Sequence, residues 1–127
     1  MRKLSKYMKI ESIKFKAKCL DNCEWIEGDL IHTDNGAVIM EKDKDTYNII
    51  NPFTVCQFTG LKDCEGKEVW EGDIVEFETY DLYKGKVKIE AVIEYINNAY
   101  FAITDNTLYS LFTKCIKVIG NKFDKEK

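Results

Sequence analysis

The sequence predicts a mainly β protein, an N-terminal meander of β-hairpins followed by a small, strongly curved barrel in the C-terminal half. Three observations carry this expectation. Short runs alternate apolar and polar residues with a period of two, the spacing at which side chains change face along a strand. Clusters of Gly, Asn and Asp punctuate the runs, and there is a single proline, Pro52. No segment carries an apolar stripe at helical spacing for more than two turns.

Ile13-Lys14-Phe15-Lys16-Ala17-Lys18-Cys19 alternates apolar residues with lysine, so a strand with one buried and one solvated face is expected. Leu20–Cys23 is a turn, and Trp25–Thr33 is the returning strand. Asp34-Asn35-Gly36 marks a tight hairpin, because Asn and Gly tolerate the positive φ such turns need. Ala37–Glu41 pairs back, the charged tract Lys42–Asp45 is a loop, and short strands follow at Tyr47–Ile50 and Phe53–Phe58. In the second half Asp63–Gly66 is a turn and Asp73–Phe77 a strand. A loop over Tyr80–Gly85 leads into a long alternating strand, Lys86–Ile96. Asn97-Asn98 turns the chain into Ala99–Thr104, and Asp105-Asn106 turns it again. Thr107–Phe112 is a short strand or one helical turn; Lys114–Ile119 is the last strand, ended by Gly120-Asn121. Five short strands over Asp73–Ile119 suit a barrel, which removes exposed sheet edges.

With 127 residues the chain has room for one domain. Aromatic residues at 13% can fill a small β core. No stretch approaches the roughly 20 apolar residues of a membrane span, and no apolar run follows the basic start Met1–Lys6 as it would in a secretory signal. A cytoplasmic protein with no membrane partner is therefore expected. Five cysteines, an odd number, read as reduced free thiols in that compartment. Cys19 and Cys23, and Cys56 and Cys64, lack the two-residue spacing of zinc knuckles, so neither metal nor cofactor is expected. Net charge is −3, yet residues 1–18 carry +6 and the remainder −9. An acidic body repels phosphate, so nucleic-acid binding would rest on that basic arm. Met8 is an alternative start within it.

The segment Gln57–Val75 stands apart. Gly60 and Gly66 give backbone freedom at bends, Trp70 is a large apolar anchor, and Gly72-Asp73 turns the chain sharply into a strand. Asp73 is expected to accept nearby backbone N–H groups. Trp25-Ile26-Glu27-Gly28-Asp29-Leu30 is a shorter echo, which predicts the same strand-entry bend used twice. Together with Ile13–Lys18, Leu20–Leu30 and Val118–Asp124, this segment resembles the signature of the YopX family of bacteriophage and prophage proteins. The resemblance covers nearly the whole chain from about Met8 onward. It implies a hairpin region over residues 13–58, an SH3-like barrel over 59–121, a basic extension at 1–12 and a tail at 122–127. A viral or mobile-element origin follows from the same resemblance; a mechanism does not, since the family is uncharacterised.

Candidate chemistry is sparse. Glu68, Glu71, Asp73, Glu76 and Glu78 crowd one region, and two convergent carboxylates in a dry cleft would suit metal-dependent hydrolysis. Glu76 and Glu78 share a strand face, so a solvated acidic surface is the expected arrangement. His32 has no Cys or Ser placed as a nucleophile beside it, and no Cys has a thiolate-stabilising neighbour in sequence. Tyr80, Tyr83, Lys84, Lys86 and Lys88 interleave aromatics with lysines, as single-strand nucleic-acid binding requires; an exposed loop feeding a strand explains them equally. The expectation is a non-enzymatic module that binds host or phage proteins, with a nucleic-acid accessory role and a metal-dependent hydrolase as the alternatives. Self-association is left open. Residues nominated for binding are Gln57, Thr59, Gly60, Leu61, Trp70, Glu71, Gly72 and Asp73, most of them expected to hold the fold.

Overall fold

A computed structural model of the chain describes residues 12–41, 44–105, 107–111 and 115–124. The basic extension through residue 11, residues 42–43 of the charged loop, Asn106 of its turn, Phe112, Lys114 and the last three residues of the tail lie outside these. The chain is mainly β, with two antiparallel sheets. It divides into two compact units, Met1–Gly60 and Leu61–Lys127. Among the described residues no helix is long and apolar enough to cross a membrane.

In the first unit β1 (Phe15–Lys18), β2 (Trp25–Thr33), β3 (Gly36–Met40), β4 (Tyr47–Ile49) and the start of β5 (Cys56–Lys62) are ordered β4-β3-β2-β1-β5. The meander returns to its own beginning. Cys19 bridges Ile50, Leu20 N donates to Ile49 O, and Asn51 N donates to Lys18 O, both at 2.9 Å. Ala17, Ala37, Ile39 and Ile50 form the core here, with Phe15, Ile26, Leu30 and Val55 packed against them.

Several expectations need correction in this unit. The lysine face of the first strand is half-buried. Lys16 and Lys18 Nζ lie 4.6 and 5.4 Å from the Trp25 ring centre, and Lys14 Nζ lies 4.9 Å from that of Phe58 and 2.9 Å from the Glu27 carboxylate. Their aliphatic stems cover aromatic surface while the ammonium groups sit over ring faces. Phe53–Phe58 is not one strand. Pro52–Thr54 is a 3-10 turn, because Pro52 presets its φ, Asn51 Oδ1 accepts Phe53 N at 3.0 Å and Thr54 Oγ1 donates to Asn51 O at 2.7 Å. Gly28 is no strand-entry bend either. It lies inside β2 opposite Phe15, where a Cβ would fall on the Met40 carbonyl oxygen.

The second unit contains β6 (Glu68–Trp70), β7 (Asp73–Asp81), β8 (Gly85–Ile96), β9 (Ala99–Ile103), β10 (Leu108–Ser110) and β11 (Lys117–Asn121). The last five form an antiparallel sheet ordered β10-β9-β8-β7-β11. Val69, Val75, Phe77, Ala91, Ile93, Ala102, Leu111, Ile116 and Val118 make its core. Asn97 and Asn98, at φ 52° and 69°, form the two-residue turn between paired Ile96 and Ala99, the arrangement whose twist suits a hairpin. β6 has no counterpart among the expected strands, since three residues are too few to show an alternation. The expected Lys114–Ile119 strand is displaced to Lys117–Asn121. A register shift between Val118 and Gly120 carries Gly120 and Asn121 into the sheet opposite Ile74 and Asp73.

The expected Tyr80–Gly85 loop is also shorter than its sequence suggests. Pairing runs to Asp81 opposite Gly85, leaving a three-residue tip. Asp81 Oδ1 accepts the N–H groups of Tyr83 and Lys84 at 2.8 and 3.0 Å, and Gly85 takes φ 77°. Replacing Gly28 with alanine should destabilise the protein by about 1–3 kcal/mol, because the added methyl meets backbone that cannot move without breaking the β2–β3 ladder. Urea unfolding checks this, and an unchanged midpoint would contradict the close approach.

Candidate functional site

The nominated residues distribute along a structural braid. In the first unit Gln57 is half-buried in β5 opposite Phe15, Thr59 is buried, and Gly60 bends the strand at φ 87°. In the second unit Leu61 packs on the core, and Trp70 is buried at the end of β6. Gly72, at φ 88°, makes the corner; its N–H donates to Ile93 O at 2.8 Å and its carbonyl accepts Lys122 N at 2.9 Å. Asp73 follows, 3% exposed. Its Oδ2 accepts Trp70 N at 2.8 Å, as the turn chemistry predicts, and its Oδ1 accepts Asn121 Nδ2 at 3.0 Å. Glu71 is half-buried, and its charge adds to burial in pushing the Tyr100 phenol up to about 12.

Asp63 is the residue that sequence reasoning passed over, reading it only as part of a turn. It is buried, and its two oxygens accept Glu65 N at 2.9 Å, Lys67 N at 2.8 Å and, across 55 positions, Val118 N at 2.9 Å. Burial alone would raise its carboxyl, but the N–H groups of Val118, Lys67 and Glu65 outweigh it and hold the group below its ordinary 3.8. The local signal for it was the Asp-x-x-Gly turn; the long-range partner had none.

Two of the five thiols expected to be free are paired: Cys64 and Cys115 form a disulfide with Cα atoms 5.7 Å apart. The backbone brings them together, since Cys64 N donates to Ile116 O at 3.0 Å and Asp63 grips Val118 next door. Cys19, Cys23 and Cys56 remain free. Cys19 is buried, and its thiol is pushed up by burial and by the carboxylates of Asp21, Glu24 and Glu41, which disfavours the nucleophilic thiolate.

The acidic residues differ in exposure. Glu68 and Glu76 are half-buried, Glu78 is exposed, and the carboxylate of Asp73 is occupied by Trp70 and Asn121. Among the described residues no group of three His, Cys, Asp or Glu side chains is placed to hold a metal ion. His32 is exposed on β2 opposite Ala37.

What the structure does bring together is the aromatic–lysine tract. β11 pairs with β7 only as far as Glu76, and β9 pairs with β8 only from Val92 onward. Among the described residues, the pairs from Phe77–Ile89 to Asp81–Gly85 therefore extend as a two-stranded arm, roughly 15 Å long at strand rise. Phe77 roots it edge-on against Tyr109, 4.9 Å between ring centres. At its end Tyr80, Leu82 and Tyr83 are 77%, 96% and 95% exposed, and Lys86 Nζ lies 3.5 Å from Glu78. Leu82 was absent from the residues singled out by sequence, although three large apolar side chains within a charged turn were visible.

The YopX protein family model matches residues 2–126 of the chain. No curated protein matches it.

Two measurements follow from the buried pairings. In denaturant, air-purified protein should show three reactive thiols, rising to five after reduction; five before reduction would remove the Cys64–Cys115 bond. Asp63→Asn should lower stability at neutral pH by about 1–3 kcal/mol, the cost of weakening acceptors for buried N–H groups. Because folding depresses the Asp63 pKa, its contribution is complete above the ordinary 3.8 and is lost as pH falls through the lower folded value. The gap between wild type and variant in urea midpoints should therefore close in acid. A gap that widens there would contradict the assignment.

Proposed function

The chain belongs to the YopX protein family, and we propose that it is a non-enzymatic protein-interaction module of a phage or prophage, working in the bacterial cytoplasm on a host or phage protein. The single observation that carries this reading is the β7–β8 arm, which holds Tyr80, Leu82 and Tyr83 in water at the end of a braced turn. Large apolar and aromatic side chains offered together on a preorganised scaffold are what protein interfaces use as anchors. The curved sheet of the second unit is then an SH3-like barrel, with the arm as a long hairpin projecting from it. The carboxylates of Gln57–Asp73 serve shape in this reading, since Asp63 and Asp73 spend their oxygens on the chain's own N–H donors.

A second reading, single-stranded nucleic acid stacked on Tyr80 and Tyr83 beside Lys84, Lys86 and Lys88, draws on the same arm. It is weakened by the N-terminal arm it would also use. Three of the seven basic side chains in residues 1–18 are already committed, Lys14 to Glu27 and Phe58, Lys16 and Lys18 to Trp25.

The test compares wild-type protein with the Leu82→Ser/Tyr83→Ser double variant in affinity capture from host cells carrying the phage. The expected result is a defined partner retained by wild type and weakened at least ~30-fold by the variant, with thermal stability unchanged. Equal capture by both would refute the reading. Binding of an oligonucleotide that weakens steeply with salt and vanishes when residues 1–12 are removed would favour nucleic acid instead.

A further inference from the structure

A different part of the arm has a self-complementary pattern. β8 is bonded to β7 from Gly85 to Val92 on one side. On the other side β9 covers only Val92–Ile96. Among the described residues, no strand pairs with the remaining edge, Gly85–Ala91. The outward-pointing N–H and C=O groups of alternate residues along this stretch form a template for another strand.

We propose that this edge pairs antiparallel with the same edge of a second copy of the chain, about a two-fold axis at Lys88. The length of the free edge sets that register, since Lys88 is its centre and any shift toward the C-terminus would drive the second copy into β9. With the axis there, Gly85 faces Ala91 of the second copy, Lys86 faces Glu90, and Val87 faces Ile89. Paired positions share parity, so groups pointing outward on one copy meet groups pointing outward on the other.

Each face gains from this arrangement. Val87 and Ile89, half-buried on the same face as Phe77 and Ala91, cover one another across the axis. On the opposite face two Lys86–Glu90 pairs form, the cross-strand pairing of opposite charges that stabilises antiparallel ladders. The two Lys88 side chains meet at the axis, each already opposite its own Glu78 in the β7–β8 ladder, so the row across the dimer reads Glu, Lys, Lys, Glu. Axes one residue toward the tip would oppose Lys86 to Lys88 twice.

The inference goes beyond the interaction role proposed above and does not depend on it, because the tip residues take no part in the pairing. The test is sedimentation equilibrium on the full chain from about 10 μM to about 1 mM. Wild type should show a monomer–dimer equilibrium. Lys86→Glu and Glu90→Lys should each dimerise at least ~tenfold more weakly, since each places two like-charge contacts across the axis. An equimolar mixture of the two variants should recover the dimer, as should the chain carrying both substitutions, because both pairs between positions 86 and 90 are then again of opposite sign. That recovery separates pairing from any loss of fold. A wild type that stays monomeric over the range would overturn the proposal, as would single variants that dimerise like wild type or a mixture that fails to recover. Leu82→Ser/Tyr83→Ser should leave the equilibrium unchanged, which keeps this result distinct from the partner-capture experiment.

Discussion

The last strand of the second unit depends on two buried carboxylates. An ionised Asp is costly to bury unless donors surround it, and Asp63 and Asp73 are surrounded by the donors that need fixing. Asp63 joins the β5–β6 turn to the start of β11 through Val118 N, and Asp73 joins the β6–β7 corner to its end through Asn121. The Gly72 carbonyl then takes Lys122 N, and Asn121 Oδ1 takes Phe123 N at 2.9 Å, so the chain is tied again just past the strand. Both anchors lie within Gln57–Asp73. The distinctive segment of this sequence is thereby explained as the clasp for a strand some fifty residues away.

How much of this could be read from sequence divides along a physical line. Features decided within a few residues were legible: the alternation of β8, the Asn97-Asn98 turn, the Trp70–Asp73 corner with its carboxylate on a nearby N–H. Where two local rules competed, the weaker signal was missed. Phe53–Phe58 looks like a strand by composition, but Asn51 and Pro52 impose a turn first. Tyr80–Gly85 looks like a loop, yet Asp81 braces a short tip and lets the ladder run on. Features decided by distant partners were invisible. Nothing around Gly28 announces the Met40 carbonyl, and nothing around Cys64 announces Cys115 at a separation of 51 residues.

The lysine-rich first strand shows the same limit for function. Its alternation suggests a cationic face available to phosphate, and the charge imbalance of residues 1–18 strengthens that impression. Folding puts Trp25 beneath Lys16 and Lys18, and Glu27 beside Lys14. A cation held over an aromatic ring has already exchanged part of its hydration for the protein. Charge counted along the chain therefore overstates what the folded surface can offer a nucleic acid.

The arm carries the functional argument because it is an unfavourable thing to build without a use. A two-stranded ribbon is marginal in water, and this one keeps Leu82 and Tyr83 almost fully exposed at its end. What stabilises it is spent at its base, where Phe77 meets Tyr109, and at its tip, where Asp81 fixes the turn. Edge and tip are separate surfaces, so pairing of two arms along β8 would leave both tips unpaired, directed oppositely and roughly 25 Å apart at strand rise. A dimer of that form presents two copies of one anchor to a partner that is itself repeated. Second engagement is then intramolecular, and even a weak tip contact gains strongly in avidity. A small acidic protein would in this way bind a symmetric or polymeric target more tightly than a single one.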